Sequence, residues 1–322
     1  MDLTLHKSST SIVPFRREIG LVEKMALYGD TGRSYYLYSM HQIKTICVCG
    51  AGTMGSGIAQ LCAQKGYQTL LFDLNDAALQ KAKDSIASNW QTLVQKQKIS
   101  AEEQITFDKN LRYSSNMSDC MADLVIEAII EKLPAKLDLF LQLAELNPLN
   151  TLFVSNTSSI SINTIANKLP DPFRFAGMHF FNPATRMQLV ELVKGDQTSD
   201  AMLHILEDLV VKLGKTAVVC KDSPGFIVNR VARHYYLESL WMVEQGLAEV
   251  ETIDAVLEAT GFKMGAFKLM DLIGIDINYS VSQTIWEDLG QPTRLSPSKI
   301  YVEKLLQNCL GMKSKIGFYS YK

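Results

Sequence analysis

The pattern of apolar and polar positions changes character near residue 224. Before it, short β-branched runs alternate with stretches at helical spacing; after it, only helical spacing remains. Lys44–Cys49 reads as a strand, Ile58, Ala59, Leu61 and Cys62 continue at helical spacing, and 69–72 is a second strand. The stretch 76–98 predicts a helix, with Leu79, Ile86, Trp90, Leu93 and Val94 on one side. Its lysines Lys81, Lys83, Lys96 and Lys98 then form a solvated face. Ser100, with Glu103 three residues on, is a capping box for a further short helix. Strands are expected at 111–114, 123–128, 151–154, 173–179 and 217–220, with Gln188–Val193 apolar except for Gln188 and Glu191. Helices are expected over 134–146, from the 155–159 loop to about 168, and over 201–213. From Ser223-Pro224-Gly225 onward the expected elements are helices at 226–245, 250–258, 266–290 and 296–306.

Between the first strand and its helix stands Gly50-Ala51-Gly52-Thr53-Met54-Gly55, a G-x-G-x-x-G turn in the strand–turn–helix context that gives the motif meaning. Gly50 supplies the tight turn, Gly52 lets a pyrophosphate lie against the backbone, and Gly55 brings the helix close to the strand. The helix N-terminus, from Thr53 and Met54, offers free N–H groups and a partial positive charge. Asp73 ends the second strand about twenty residues on, where an acid bonds ribose hydroxyls. Leu74 and Asn75 follow, with no arginine for a 2′-phosphate, so the expected cofactor is NAD. The architecture implied is α/β: a Rossmann-type dinucleotide-binding domain over 42–224 and an all-helical domain over 225–322.

Composition narrows the classes. A chain of 322 residues with net charge −2 has no polyanion-binding balance, so nucleic acid is not an expected partner. No apolar run reaches membrane-spanning length. The six cysteines form no C-x-x-C, and Cys47 and Cys49 share a strand face, which suits reduced core thiols in a cytoplasmic protein. The five histidines do not cluster with cysteines or carboxylates, and no metal is expected. Residues 1–41 carry Arg16-Arg17 and a Tyr35-Tyr36-Leu37-Tyr38 patch without periodicity, and no secretory h-region. Met40 just before the first strand suggests a start assigned too far upstream, with a docking extension as the alternative.

Two places carry candidate chemistry. Ligands of open α/β sheets gather beyond the carboxyl ends of the strands, so Glu131 and Lys136, just past 123–128, stand where a cofactor would approach. Glu127 ends that strand. The second place is His179, at the end of a strand, and Glu191, an acid within an apolar run. Such an acid is costly unless paired or hydrogen-bonded, and His179 is the only nearby histidine.

GAGTMGSGIA, VIEA with Glu131 after it, SNTSS, GMHFFNP, LVELVKG, KDSPGFIVNR, MDLIGID and the closing GFYSYK occur in this order. With these motifs the chain, from about Ile43 to Lys322, resembles the NAD-dependent L-3-hydroxyacyl-CoA dehydrogenases, above all their short bacterial form, the 3-hydroxybutyryl-CoA dehydrogenases. The resemblance implies an acyl-CoA substrate, a helical dimerisation domain, a homodimer, and a place in fatty-acid β-oxidation. Carried onto this sequence, His179 matches the family's catalytic histidine and Glu191 its partner acid. Ser158 and Asn229 match the polar residues around the substrate. Gly50, Gly52, Gly55 and Asp73 match the cofactor loop and ribose acid, Glu131 and Lys136 further cofactor contacts, and Lys96 a lysine that meets the CoA nucleotide.

Departures from the family pattern are Lys132, Arg186, Ala266 and Lys315, the last standing where a glycine is usual. Imidazole, titrating in general at about 6.5, suits a base that takes the hydroxyl proton. Rival readings are a dehydrogenase of another 3-hydroxy acid, or of a longer or dicarboxylic acyl-CoA such as 3-hydroxyadipyl-CoA. A further rival is a non-catalytic NAD-binding structural protein. Arg186, five residues before Glu191, is the residue that would favour a dicarboxylic substrate.

Overall fold

A computed structural model describes residues 42–322; the readings of Met40 and of the arginine and tyrosine patches fall on residues 1–41, outside the described residues. In chain order the first part comprises β1 (Thr45–Cys49), α1 (Thr53–Gln64), β2 (Gln68–Phe72), α2 (Asp76–Gln95), α3 (Ala101–Lys109) and β3 (Leu111–Ser114). It continues with β4 (Leu124–Glu127), α4 (Leu133–Leu146), β5 (Leu152–Ser155), α5 (Ile162–Ala166), β6 (Phe175–Phe180), β7 (Leu189–Lys194), α6 (Asp200–Lys212) and β8 (Thr216–Lys221). These strands form one sheet in the order β3-β2-β1-β4-β5-β6-β7-β8. Pairing is parallel up to β6, antiparallel between β6 and β7, and parallel again between β7 and β8.

The strand order reverses direction beside β1, between β1–β2 and β1–β4, which is where an open α/β sheet leaves its ligand crevice. Both faces are covered, so the central strands read as unbroken apolar runs. Alternate residues of β1 go to opposite cores: Ile46 and Val48 pack among α1, α2 and α6, and Cys47 and Cys49 pack against α4 and α5. Helix α2 buries Leu79, Ile86 and Trp90 and leaves Lys81 and Lys83 exposed, as its periodicity predicts; it ends at Gln95 rather than 98, with Lys96 as its C-cap and Lys98 exposed beyond it. The Ser100–Glu103 capping box forms in both directions.

After β8 the named elements of the described chain are helices, followed by isolated antiparallel bridges in the tail (Gly311 with Ile316, Ile316 with Ser320): α7 (Val228–Glu244), α8 (Val250–Ala259), α9 (Ala266–Ile273), α10 (Ile275–Asp288) and α11 (Lys299–Leu306). They enclose a core that includes Leu240, Phe267, Met270, Ile275, Ile285 and Tyr301. Three expectations are corrected. The single helix over 266–290 is two, because Gly274 takes φ 105° and turns the chain between α9 and α10. The helix expected from 226 begins at Val228, since Gly225 (φ 75°) and Phe226 (φ 49°) are left-handed. The helix expected to reach 168 is the single turn α5. The C-terminal tail is held by two buried acids: Asp271 accepts from the N–H groups of Phe318 and Tyr319, and Asp254 from the Tyr319 hydroxyl.

Candidate active site

The glycine turn is built as its spacing requires. Gly50 has φ 107°, and a Cβ there would lie 2.5 Å from the Ala128 carbonyl oxygen. A Cβ on Gly55 would lie 1.8 Å from the Gly50 oxygen, so α1 seats directly on the turn. Gly52 is different: a Cβ there would meet nothing within 4 Å, because the backbone faces open space. Gly52 is also the N-cap of α1, with no side-chain cap and no acid in the first turn. Thr53 and Met54 thus present helix N–H groups that no side chain among the described residues satisfies, the arrangement that receives a phosphate. Asp73 closes the turn, with Oδ2 accepting from the Ala51 N–H (2.7 Å) and Oδ1 from the Asn75 N–H (2.9 Å). Leu74 beside it is 77% exposed and carries no charge. This donor set and the empty position over Gly52 fit a dinucleotide whose ribose bears no 2′-phosphate.

Beyond β4 lies a polar cluster. Glu127, fully buried, accepts from the Lys136 ammonium (2.5 Å), the Ser155 hydroxyl (2.5 Å) and the Ile129 N–H (2.8 Å). Lys136 is itself 1% exposed and also meets Glu131 Oε2 at 3.0 Å. Glu131 Oε1 accepts from the Thr157 hydroxyl, the Ser158 N–H, and the N–H and hydroxyl of Ser159. Burial works against the Glu131 charge, but Lys136 and these hydroxyls outweigh it and hold its carboxyl below the ordinary range. Both oxygens of Glu131 and the ammonium of Lys136 are therefore engaged with the chain itself. The structure places them as a clamp on the 157–159 loop, and the Ser158 side chain has no partner among the described residues.

His179 and Glu191 face each other in the antiparallel register of β6 and β7. Directly opposed residues of an antiparallel pair point to the same side of the sheet. His179 Nδ1 and Glu191 Oε2 stand 2.8 Å apart. The other oxygen of Glu191 accepts from the N–H groups of Ile227 (3.0 Å) and Val228 (2.9 Å), at the start of α7. Burial alone would raise the Glu191 carboxyl; the His179 hydrogen bond and the two amides overcome it and keep the group below its ordinary value, hence ionised. An ionised carboxylate only accepts, so Nδ1 carries the proton. Nε2 has no partner among the described residues. The imidazole lies between the Phe181 ring (4.6 Å) and the Phe226 ring (5.7 Å).

Asn229, in the first turn of α7, follows the two amides that Glu191 holds, so one carboxylate fixes both the imidazole and the helix bearing Asn229. Asn156 Oδ1 accepts from the Phe180 N–H at 2.9 Å, tying the 155–159 loop to the residue next to His179. Lys96 stands apart. It is exposed at the C-terminal end of α2, about 30 Å of helix from the Asp73 end. Arg186 is exposed on the loop between β6 and β7, and its guanidinium has no partner among the described residues. Among the described residues the group able to hold a metal ion is Cys47, Cys49 and Cys120, fully buried in the core. The sequence reading missed the roles of Glu127 and Ser155, although an acid closing an apolar strand was a usable signal.

A glycine turn open to a pyrophosphate, an acid without an adjoining cation, and a histidine–carboxylate pair on two strands of the same sheet are the features of a nucleotide-dependent dehydrogenase. Residues 45–223 match the family model "3-hydroxyacyl-CoA dehydrogenase, NAD binding domain", and 225–321 match "3-hydroxyacyl-CoA dehydrogenase, C-terminal domain". The chain belongs to the 3-hydroxyacyl-CoA dehydrogenase family, and its dinucleotide is NAD. It is 43% identical over 288 residues to the 3-hydroxyadipyl-CoA dehydrogenase of Escherichia coli K12, covering 88% of this chain but 60% of that protein. The crystal structure of a 3-hydroxybutyryl-CoA dehydrogenase from Escherichia coli K12 superposes with TM-score 0.86 at 43% identity, over 87% of this chain and 60% of that one. The (S)-3-hydroxybutyryl-CoA dehydrogenase PaaH1 of Ralstonia eutropha superposes with TM-score 0.84 at 35% identity, over 87% of this chain and all of that one. Among the described residues no helix is long and apolar enough to cross a membrane.

Proposed function

We propose that this protein catalyses the reversible NAD-dependent oxidation of a short-chain L-3-hydroxyacyl-CoA to the 3-ketoacyl-CoA, with His179 as the base and Glu191 as its partner. The observation that carries this reading is the geometry at His179: Nδ1 committed to an ionised Glu191 at 2.8 Å, and Nε2 without a partner among the described residues. Nε2 takes the proton of the substrate's 3-hydroxyl. Glu191 fixes the tautomer and stabilises the imidazolium, the part an acid plays beside a catalytic histidine. When bound, NAD supplies the acceptor for the hydride that leaves C3. Ser158 and Asn229 donate to the substrate oxygens and hold C3 in line, an effect of orientation. Phe181 and Phe226 shield the imidazole from water. In the reverse direction His179, protonated, gives its proton to the 3-keto oxygen.

Gly50, Gly52, Thr53, Met54 and Gly55 receive the pyrophosphate and Asp73 the adenosine ribose. Glu131 and Lys136 serve the cofactor side through the loop they clamp. Lys96 meets the nucleotide end of CoA, a long ligand that extends from the groove. The helical domain exposes Val231 (65%), Trp241 (49%), Leu247 (62%) and Val256 (57%), and a groove of about 310 Å³ opens between α7 and α8. A second copy covering this apolar surface gives a homodimer. The six free cysteines suit a reducing cytoplasm. Steady-state turnover of acetoacetyl-CoA with NADH against NADPH tests the activity, and absence of NADH-dependent turnover refutes it.

A second reading has one observation in its favour. Arg186 is exposed on the loop joining the strands of His179 and Glu191 and has no partner among the described residues, and a terminal carboxylate on the acyl chain would give it a charge-assisted one. The substrate would then be a dicarboxylic acyl-CoA, as in the name of the Escherichia coli relative. Arg186→Met should lower kcat/KM for 3-hydroxyadipyl-CoA relative to 3-hydroxybutyryl-CoA. An unchanged ratio excludes this role.

A further inference from the structure

We infer that Glu127 is a positioning residue for this active site: with Lys136 it sets the place of Glu131 and so of the loop that carries Ser158. This rests on the substrate role proposed for Ser158. Glu127 lies at the last position of β4 and is fully buried, out of contact with solvent. Its two oxygens reach two different elements. Oε1 holds Lys136 of α4 and the Ile129 N–H; Oε2 accepts from Ser155, the last residue of β5.

Lys136 passes the constraint outward to Glu131, and Glu131 Oε1 gathers Thr157, Ser158 and Ser159 on a single oxygen. Ser155 and Glu131 thus grip the loop at both ends, and both grips start at Glu127. Asn156, between them, holds the Phe180 N–H beside His179. One buried carboxylate therefore governs the relative placement of Ser158 and the imidazole.

A buried ion pair is weak evidence of a stabilising device, since an apolar pair of like volume often does as well. What an apolar pair cannot do is hand a directed charge to Glu131. This separates a positioning role from a structural one. Glu127→Gln leaves Lys136 buried with one carboxylate and lowers stability under either role. The double variant Glu127→Gln/Lys136→Met removes the buried charges together and restores the fold, yet leaves Glu131 without its cation.

The experiment compares the parent, Glu127→Gln and the double variant by thermal melting, NADH binding, steady-state kinetics and hydrogen exchange of the amides at 157–160. A misplacement of about 1 Å away from the chemistry costs up to about 10²-fold, so kcat should fall about 10- to 100-fold in the double variant. Its melting temperature should recover toward the parent's, with NADH affinity falling along with kcat because Lys136 serves the cofactor side through the same loop, while the loop amides exchange faster. A double variant that is stable, protected at 157–160 and fully active overturns the inference. Ser158→Ala serves as the separate control. If it is fully active, the substrate role of Ser158 fails, and faster exchange at 157–160 in the double variant still upholds the clamp.

Discussion

Glu191→Gln puts the proposed dyad to its sharpest test, because the structure dictates how the amide must turn. Glu191 is fully buried and faces three donors: His179 Nδ1 on one oxygen, and the Ile227 and Val228 N–H groups on the other. Glutamine keeps the shape but has one accepting end. If its carbonyl faced His179, its NH2 would face two buried backbone N–H groups, each left unsatisfied at about 1–3 kcal/mol. The carbonyl will therefore face Ile227 and Val228, at an advantage of about 2 kcal/mol or more. The NH2 then donates to Nδ1, which moves the ring proton to Nε2. A donor now points at the substrate hydroxyl where a base is needed. The same inversion beside a hydrolase histidine costs about 10⁴-fold, and general-base catalysis is in general worth about 10²–10⁴-fold. Oxidation of 3-hydroxybutyryl-CoA, followed by NADH appearance, should lose kcat within that range, with NADH affinity unchanged. His179→Gln should lose as much. Members of one catalytic unit are grossly non-additive, so the double variant should be little worse than the worse single. A folded Glu191→Gln enzyme within about threefold of the parent would refute the reasoning, far below the about 10²-fold minimum expected of a lost base; so would losses that multiply in the double variant.

The glycine turn gives a paired test: Gly52→Ala meets no protein atom and should melt like the parent but bind NADH more weakly, while Gly55→Ala collides with the Gly50 carbonyl and should lower the melting temperature. Asp73→Ala with Leu74→Arg should move the kcat/KM ratio from NAD toward NADP; equal use of both cofactors by the parent would remove the basis for the exchange. Glu191 titrates below its ordinary range when folded, so its contribution to stability is complete above the unfolded value, about 4.3 for a glutamate, and is lost as pH falls through the lower folded value. Melting temperature should therefore drop on acidification through that window, and less steeply in Glu191→Gln. Lys315 holds φ 62° on an exposed turn, and Lys315→Gly should stabilise by up to about 1 kcal/mol, read as a small rise in melting temperature.

What could be read from the sequence follows how local each cause is. The glycine turn, Asp73 and the capping box are short-range patterns with one backbone solution each, and all three form. The contact between His179 and Glu191 was legible because an acid in an apolar strand demands a partner. Glu127 sent the same signal and went unused, because its partners sit on α4 and β5 and only the folded sheet brings them together. The break at Gly274 was hidden by apolar spacing that runs through it unchanged; the left-handed turn there depends on the packing of α9 against α10. Phe226 in a left-handed conformation leaves no mark in composition at all. The trio Cys47, Cys49 and Cys120 joins positions far apart in sequence, and only the first two were seen to share a face.

The sheet reverses direction once, between β6 and β7, and the proposed dyad stands at that reversal. In a parallel pair the bonds are slanted and a crossover separates the strands. An antiparallel pair sets residues directly opposite, and the loop after Phe180 returns the chain within eight residues, 181–188, to put Glu191 across from His179. The side-chain period of a strand is two, so a slip of one residue would turn Glu191 to the far face and bring a neighbouring leucine or valine to the imidazole. Deleting or inserting one residue in the loop should therefore abolish turnover more completely than a point change in either partner. Val190 and Leu192 pack into one core and Val193 into the other, so a slip would bury the carboxylate among apolar side chains without its donors, and that cost opposes it. The acid that pairs with the histidine thus helps to fix the register of its own strand, so the geometry at Nδ1 depends on the cost of burying that charge elsewhere as much as on its attraction to the ring.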